Sequence, residues 1–158
     1  LENGIRRSHE FVLLCGKNLK ETVLKPIMQP TLQNGKVVER EKPLETVIDF
    51  LGTTSSAKDE IAALFGDRTA FATPKPMKLI KEFVRAASEK DSIVLDFFAG
   101  SGTTGHAVMD LNKEDGGSRK FILITNNENN ICQNITVPRV RKAAELFGYK
   151  ETLKFTAF

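Results

Sequence analysis

Asp96-Phe97-Phe98-Ala99-Gly100-Ser101-Gly102 is the stretch that decides the fold of this 158-residue chain. The apolar run Ile93-Val94-Leu95 comes directly before it and predicts a buried strand. A helix is predicted after it, from about Thr103 to Leu111. Where a strand turns through glycines into a helix, the backbone turns sharply and can approach a ligand closely.

The chain on either side of this stretch predicts alternating strands and helices. A second strand is expected from Lys120 to Thr125, and a third from Leu153 to Phe158. Between them, an apolar stripe after Pro138 predicts a helix that ends at Gly148. Before the stretch, Thr73-Pro74-Lys75-Pro76 is expected to open a helix running to about Ser88. This order predicts an α/β fold with a parallel sheet and helical crossovers.

The first 70 residues give weaker patterns. The apolar residues 10–15 predict a buried strand, and residues 44–51 a short one. Prolines, a glycine and many polar residues make 17–43 a predicted loop or loosely structured connector. A further helix is expected over 56–66, with a serine cap and a terminal glycine.

Composition indicates which partners and which cellular location suit the chain. The net charge of +3 and the pI near 8.9 permit contact with nucleic acid without arguing for it. We find neither an apolar stretch long enough to span a bilayer nor a secretion signal, and therefore expect a cytoplasmic protein without a membrane partner. Two distant cysteines, Cys15 and Cys132, are expected to be reduced thiols, and His9 and His106 are solitary, so no metal site is expected.

Three kinds of ligand could use the glycine-rich turn, because a helix N-terminus favours an anionic group. A P-loop is disfavoured, because it requires Lys after Gly105 and the chain has His106. A dinucleotide stays open, since Gly100, Gly102 and Gly105 have the Gly-x-Gly-x-x-Gly spacing. S-adenosylmethionine is favoured by Asp96, an acid that suits the ammonium of its methionine part and would repel phosphates.

The residues also resemble a known family. Asp96 to Thr104 is similar to motif I of the amino-methyltransferases that act on DNA bases, and Thr73 to Pro76 is similar to their motif X. Motif X before motif I is the permuted order of the β class. Residues 9–11 resemble the motif VIII strand more weakly. Further runs resemble the Mod subunit of type III restriction-modification systems: Gly105-His106-Ala107-Val108, Leu111-Asn112, Asp115-Gly116-Gly117 and Arg119-Lys120-Phe121.

The resemblance implies a Rossmann-like S-adenosylmethionine-dependent methyltransferase fold and methylation of a flipped adenine on its exocyclic nitrogen. It assigns residues 1–16 to a core strand, 17–70 to a connector or the remnant of a target-recognition region, and 71–158 to the cofactor-binding half. The ribose contact is in doubt, because Asn126 or Glu128 would have to replace the usual acid. The implied cofactor residues are Thr73, Lys75, Pro76, Asp96, Phe97, Phe98, Ala99, Gly100, Ser101, Gly102, Thr103 and Asn126.

The catalytic motif of the resembled family, Asp-Pro-Pro-Tyr or a close variant, is not in these 158 residues. We therefore assign no catalytic residue and expect a fragment of a larger enzyme that is inactive alone. The implied partners are DNA, a restriction (Res) subunit and a second Mod subunit. A non-catalytic Rossmann-like interaction module and an NAD-binding domain are the alternative functions.

Overall fold

A computed structural model describes residues 15, 17–18, 20–44, 48–149 and 153–156. The predicted motif VIII-like strand lies outside the described residues, apart from the exposed Cys15. Among the described residues, no helix is long and apolar enough to cross a membrane. The strands are β1 (Ile27–Gln33), β2 (Lys36–Lys42), β3 (Ile93–Asp96) and β4 (Lys120–Leu123); the helices are α1 (Thr54–Phe65), α2 (Met77–Ala87), α3 (Thr103–Asp115) and α4 (Val137–Leu146).

The two central strands pair in parallel, as the alternating pattern predicts. β3 and β4 lie in register with Leu95 opposite Ile122. Backbone hydrogen bonds continue the ladder past β4, since the Ile124 amide donates to the Asp96 carbonyl at 2.8 Å. The third predicted strand is wrong for residues 153–156, which are not in a strand.

Helix α3 covers one face of this strand pair. It packs between α2 and α4, and its buried residues join two apolar clusters. Gly105 permits the close approach, because a Cβ there would lie only 3.0 Å from the Leu123 side chain. On the other face, Leu95 is 48% and Ile122 50% exposed.

An antiparallel hairpin of β1 and β2 packs against α2. The prediction of a loop over 17–43 is wrong for these strands. Asn34 and Gly35 form the two-residue turn with φ of 51° and 74°, the left-handed values that such hairpin turns require. Pro30 lies within β1, which tolerates it because a two-stranded ribbon has a free edge on each side. The described residues of the other predicted strand, 44 and 48–51, are not in a strand.

The four helices exist where predicted, and α3 begins at Thr103 as expected, whereas α1 and α2 have shifted starts. Helix α1 begins after the cap residue Thr53, and Ser56 completes a reciprocal capping box rather than forming the cap. Helix α2 begins at Met77, so the Thr73–Pro76 segment precedes it. The delay follows from Pro74 and Pro76, since a residue before proline disfavours helical backbone.

Candidate functional site

The glycine-rich turn connects the carboxyl end of β3 to the first turn of α3. Gly102 caps the helix in the left-handed conformation, with φ of 77°, and its amide donates to the Ala99 carbonyl at 2.7 Å. Its Cα also faces α4, because a Cβ there would lie 3.3 Å from both Thr136 and Val140. The backbone angle therefore favours glycine at position 102, and a side chain there would also crowd Thr136 and Val140.

Asp96 ends β3 and ties the turn to α3 through both carboxylate oxygens. Oδ1 accepts from the Phe98 amide at 3.0 Å, and Oδ2 accepts from the Thr104 hydroxyl at 2.5 Å. A carboxylate has about four acceptor sites, so these two bonds leave capacity for a cationic ligand. Asp96 orders the loop and keeps a partly exposed negative charge beside it.

Two aromatic rings follow Asp96 and face solvent. Phe97 is 58% and Phe98 92% exposed, which is unusual for side chains of this size. Ala99 is buried, and its amide donates to the Ile124 carbonyl at 3.0 Å. The turn thus presents apolar surface outward while its backbone is hydrogen-bonded to the residue that follows β4.

The hydroxyls of Ser101 and Thr103 point into the protein instead of toward solvent. Both residues are buried, and Arg139 Nη1 donates to Ser101 Oγ at 3.1 Å and to Thr103 Oγ1 at 2.9 Å. A ligand at the turn would consequently meet the backbone of these residues rather than their hydroxyls.

Arg139, on α4, is fully buried beneath the turn. Its Nη2 donates to Glu60 of α1 at 3.3 Å, and its Nε donates to His106 Nδ1 at 3.4 Å. Burial lowers the pKa of Arg139 and raises the pKa of Glu60 against their mutual attraction. Burial and the neighbouring guanidinium lower the pKa of His106 to about 4, so His106 is neutral and accepts the hydrogen bond.

The segment Thr73–Pro76 lies against the turn through its backbone. The Lys75 carbonyl accepts from Thr103 Oγ1 at 3.4 Å. The Glu60 carboxylate accepts from the Met77 amide, with both oxygens at 3.1 Å, and so joins this segment to Arg139. Pro76 is buried, whereas Thr73 and Lys75 are exposed. The two segments predicted to share a site are therefore brought together.

Asn126 lies three residues beyond Leu123, the residue paired with Asp96, at the same edge of the sheet. It is exposed, and its Nδ2 lies 3.5 Å from Glu128 Oε2. The two residues considered for the ribose contact therefore adjoin each other.

Sequence reasoning missed Thr136, Arg139 and Glu60. The Thr136 hydroxyl donates to the Gly100 carbonyl at 2.6 Å, and a second carbonyl, that of Ile131, lies 3.3 Å away. Thr136 closes a π-helical turn, Cys132–Thr136, that leads into α4. The only available signal was the position of Arg139 beside the predicted apolar stripe of α4, where a charged residue is ordinarily assigned to solvent.

Chemically, the site combines a carboxylate, two exposed rings and the first turn of a helix, whose leading amides have no intrahelical partner. This set suits a ligand with an anionic group, a cationic group and an apolar part. In the described part of the chain, no three His, Cys, Asp or Glu residues lie together as a metal site would require.

Comparison with known proteins adds a family match and several relatives. A family model for N6/N4 methyltransferases, described as DNA methylase, matches residues 2–136. The StyLTI Mod subunit, from a type III restriction-modification enzyme of Salmonella typhimurium, is 54% identical over 84 residues, which are 53% of this chain and 13% of the relative. The EcoPI Mod subunit of Escherichia phage P1 is 42% identical over 104 residues, 66% of this chain and 15% of the relative. The type II methyltransferase M.KpnI of Klebsiella pneumoniae is 47% identical over 74 residues, 47% of this chain and 18% of the relative.

Proposed function

The chain belongs to the DNA methylase family, and we propose on that basis that it forms the S-adenosylmethionine-binding part of an adenine-N6 DNA methyltransferase of the type III Mod kind. The observation that carries the proposal is the junction of β3 and α3. There the Asp96 carboxylate accepts hydrogen bonds from the Phe98 amide and the Thr104 hydroxyl, and Gly102 caps α3 in the left-handed conformation. The parallel pair with its covering helices is in keeping with a Rossmann-like fold.

The donor set at this junction fits the proposed cofactor. The leading amides of α3 suit the methionine carboxylate, and Asp96 suits the ammonium. Phe97 and Phe98 offer apolar surface beside the turn. Ala99 to Thr103 would contribute through their backbone, with Thr73, Lys75 and Pro76 against the same pocket. Asn126, or its neighbour Glu128, would serve the ribose.

S-adenosylmethionine, when bound, supplies a methyl group activated by its sulfonium. The residues of this chain bind and orient it: Asp96 holds a fixed negative charge at the end of β3, and the buried network beneath the turn keeps the backbone in place. No proton transfer is assigned to these residues.

The reaction itself is proposed for the whole protein, because the chain spans only 13 to 18% of the length of the relatives described above. We propose an adenine in DNA, flipped out of the duplex, as the methyl acceptor. A restriction (Res) subunit and a second Mod subunit are the proposed protein partners, and the cytoplasm is the proposed location.

Photolabelling tests the proposal. Irradiation of the chain with S-adenosyl-[methyl-³H]methionine should label the peptide that contains Asp96 to Thr104. Excess unlabelled S-adenosylhomocysteine should prevent the labelling, and excess NAD should not. Protection by NAD alone would favour the dinucleotide alternative, and label confined to other peptides would overturn the proposed site.

A further inference from the structure

Three residues on one face of the helical segment 136–140 contact the glycine-rich turn from below. Thr136, Arg139 and Val140 stand at i, i+3 and i+4, so their side chains project together. Thr136 binds the Gly100 carbonyl, Arg139 binds Ser101 and Thr103, and Val140 packs against Gly102. Every residue from Gly100 to Thr103 therefore has a contact with this one face.

The hydrogen bonds of the Arg139 guanidinium indicate which groups it holds in place. A buried guanidinium is costly unless its donors are satisfied. Its two shortest bonds, 2.9 and 3.1 Å, go to the hydroxyls of the turn, whereas the bond to the Glu60 carboxylate is 3.3 Å. A single terminal nitrogen of the guanidinium, Nη1, thus donates to both hydroxyls and holds Ser101 and Thr103 together. The other two nitrogens bind Glu60 and His106.

We propose that Arg139 and Thr136 are positioning residues that set the conformation of the glycine-rich turn, and through it the affinity for the cofactor. The effect on affinity rests on the proposed function, whereas the effect on the turn does not. Neither residue needs to touch the cofactor, because both are buried behind the turn.

Residue-level hydrogen exchange by NMR measures the conformational part in the free chain. The Gly102 amide, bonded to Ala99, reports on the turn, and the Leu111 amide reports on the core of α3. Thr136→Val should accelerate exchange at Gly102 about tenfold relative to Leu111, the effect of losing one such hydrogen bond. Arg139→Gln removes both bonds to the turn and should accelerate it by at least as much. Referring the rate to Leu111 removes any general loss of stability.

Two control variants make the test specific. Thr136→Ser keeps the hydroxyl and should restore slow exchange at Gly102. Arg141→Gln removes an exposed arginine of the same helix, which lies over the Phe155 ring, and should leave exchange at Gly102 unchanged. If Arg139→Gln fails to fold, the Thr136→Val and Thr136→Ser pair still decides. Unchanged relative exchange at Gly102 in Thr136→Val would overturn the proposal.

Calorimetric titration with S-adenosylhomocysteine tests the consequence for affinity. Thr136→Val should bind about tenfold more weakly, and Thr136→Ser should bind as the unmodified chain does. Unaltered affinity in Thr136→Val would overturn the link to the cofactor. If the unmodified chain gives no binding while Gly102 responds as expected, the proposed function fails and the positioning role stands.

Discussion

At the scale of single residues, His106 carries the clearest consequence of burial. It is 7% exposed, accepts from Arg139, and has the Phe147 ring 5.6 Å away. Its folded-state pKa of about 4 lies below the ordinary 6.5, so the unfolded chain takes up a proton first as the pH falls. The stability that depends on neutral His106 is complete above about pH 6.5 and is lost as the pH falls toward 4.

We therefore expect His106→Gln, which cannot titrate, to lose less unfolding free energy than the unmodified chain between pH 7.5 and pH 5. The difference should be on the order of 2 kcal/mol. Urea unfolding of both proteins at the two pH values measures it. The difference between proteins is the quantity to compare, because Glu60 titrates in the opposite sense: its raised pKa favours the folded state at low pH. Equal losses in the two proteins would contradict the burial of a neutral imidazole.

Arg139 shows why sequence patterns identify the glycine-rich turn but not its support. The turn is a local feature, and Asp96, Gly100 and Gly102 can be recognised from their order alone. Arg139 is satisfied by partners 33 to 79 residues earlier in the chain. Nothing local distinguishes it from the exposed Arg141 two positions on, because only the assembled fold brings those partners together.

At the scale of elements, the hairpin is joined to α2 by a buried carboxylate. Glu82 is 1% exposed, and its Oε2 accepts from the Met28 amide at 2.9 Å and from Arg85 Nε at 3.0 Å. Without Glu82 the Met28 amide would lose its carboxylate acceptor, whereas Arg85 would keep its second partner, Glu114, at 2.7 Å. Glu82 therefore stabilises both the attachment of β1 and the last turns of α2.

Glu82→Ala should lower the free energy of unfolding by about 2 kcal/mol, because it removes a buried hydrogen bond to a charged acceptor. Glu89→Ala is the matched control, because Glu89 forms an exposed ion pair with Lys25. This substitution should lower the free energy of unfolding by at most about 1 kcal/mol. Urea unfolding at neutral pH measures the free energy of unfolding of both variants and of the unmodified chain. A cost for Glu82→Ala no larger than that of Glu89→Ala would show that the contact with Met28 contributes little.

The strands also show where the pattern of apolar residues predicts secondary structure correctly and where it does not. Strands β3 and β4 were predicted because short apolar runs are followed by turn residues, and the parallel pairing followed from the helix between them. The hairpin was missed because Pro26, Pro30 and Pro43 outweighed the Asn34-Gly35 turn signal. The absence of a strand over 153–156 has a physical reason too, since a strand forms only where a neighbour pairs with it.

At the scale of the whole molecule, α3 is the centre. Its buried side chains belong to the apolar clusters that include α2 and α4. In its first turn, the Thr104 hydroxyl donates to Asp96, and the Thr103 hydroxyl accepts from Arg139. Folding of the core and shaping of the turn are therefore coupled. Because the chain belongs to the DNA methylase family, we propose that this coupling keeps a cofactor site fixed at one edge of the sheet.

Calorimetric titration of the folded chain with S-adenosylhomocysteine, in parallel for Asp96→Ala and Asp91→Ala, tests the central claim most directly. Asp91 is an exposed acid just before the opposite end of β3, so it controls for loss of charge. We predict binding by the unmodified chain, no binding of NAD, about tenfold or greater weakening in Asp96→Ala, and no change in Asp91→Ala. Absence of binding by the folded chain, preference for NAD, or undiminished affinity in Asp96→Ala would contradict it.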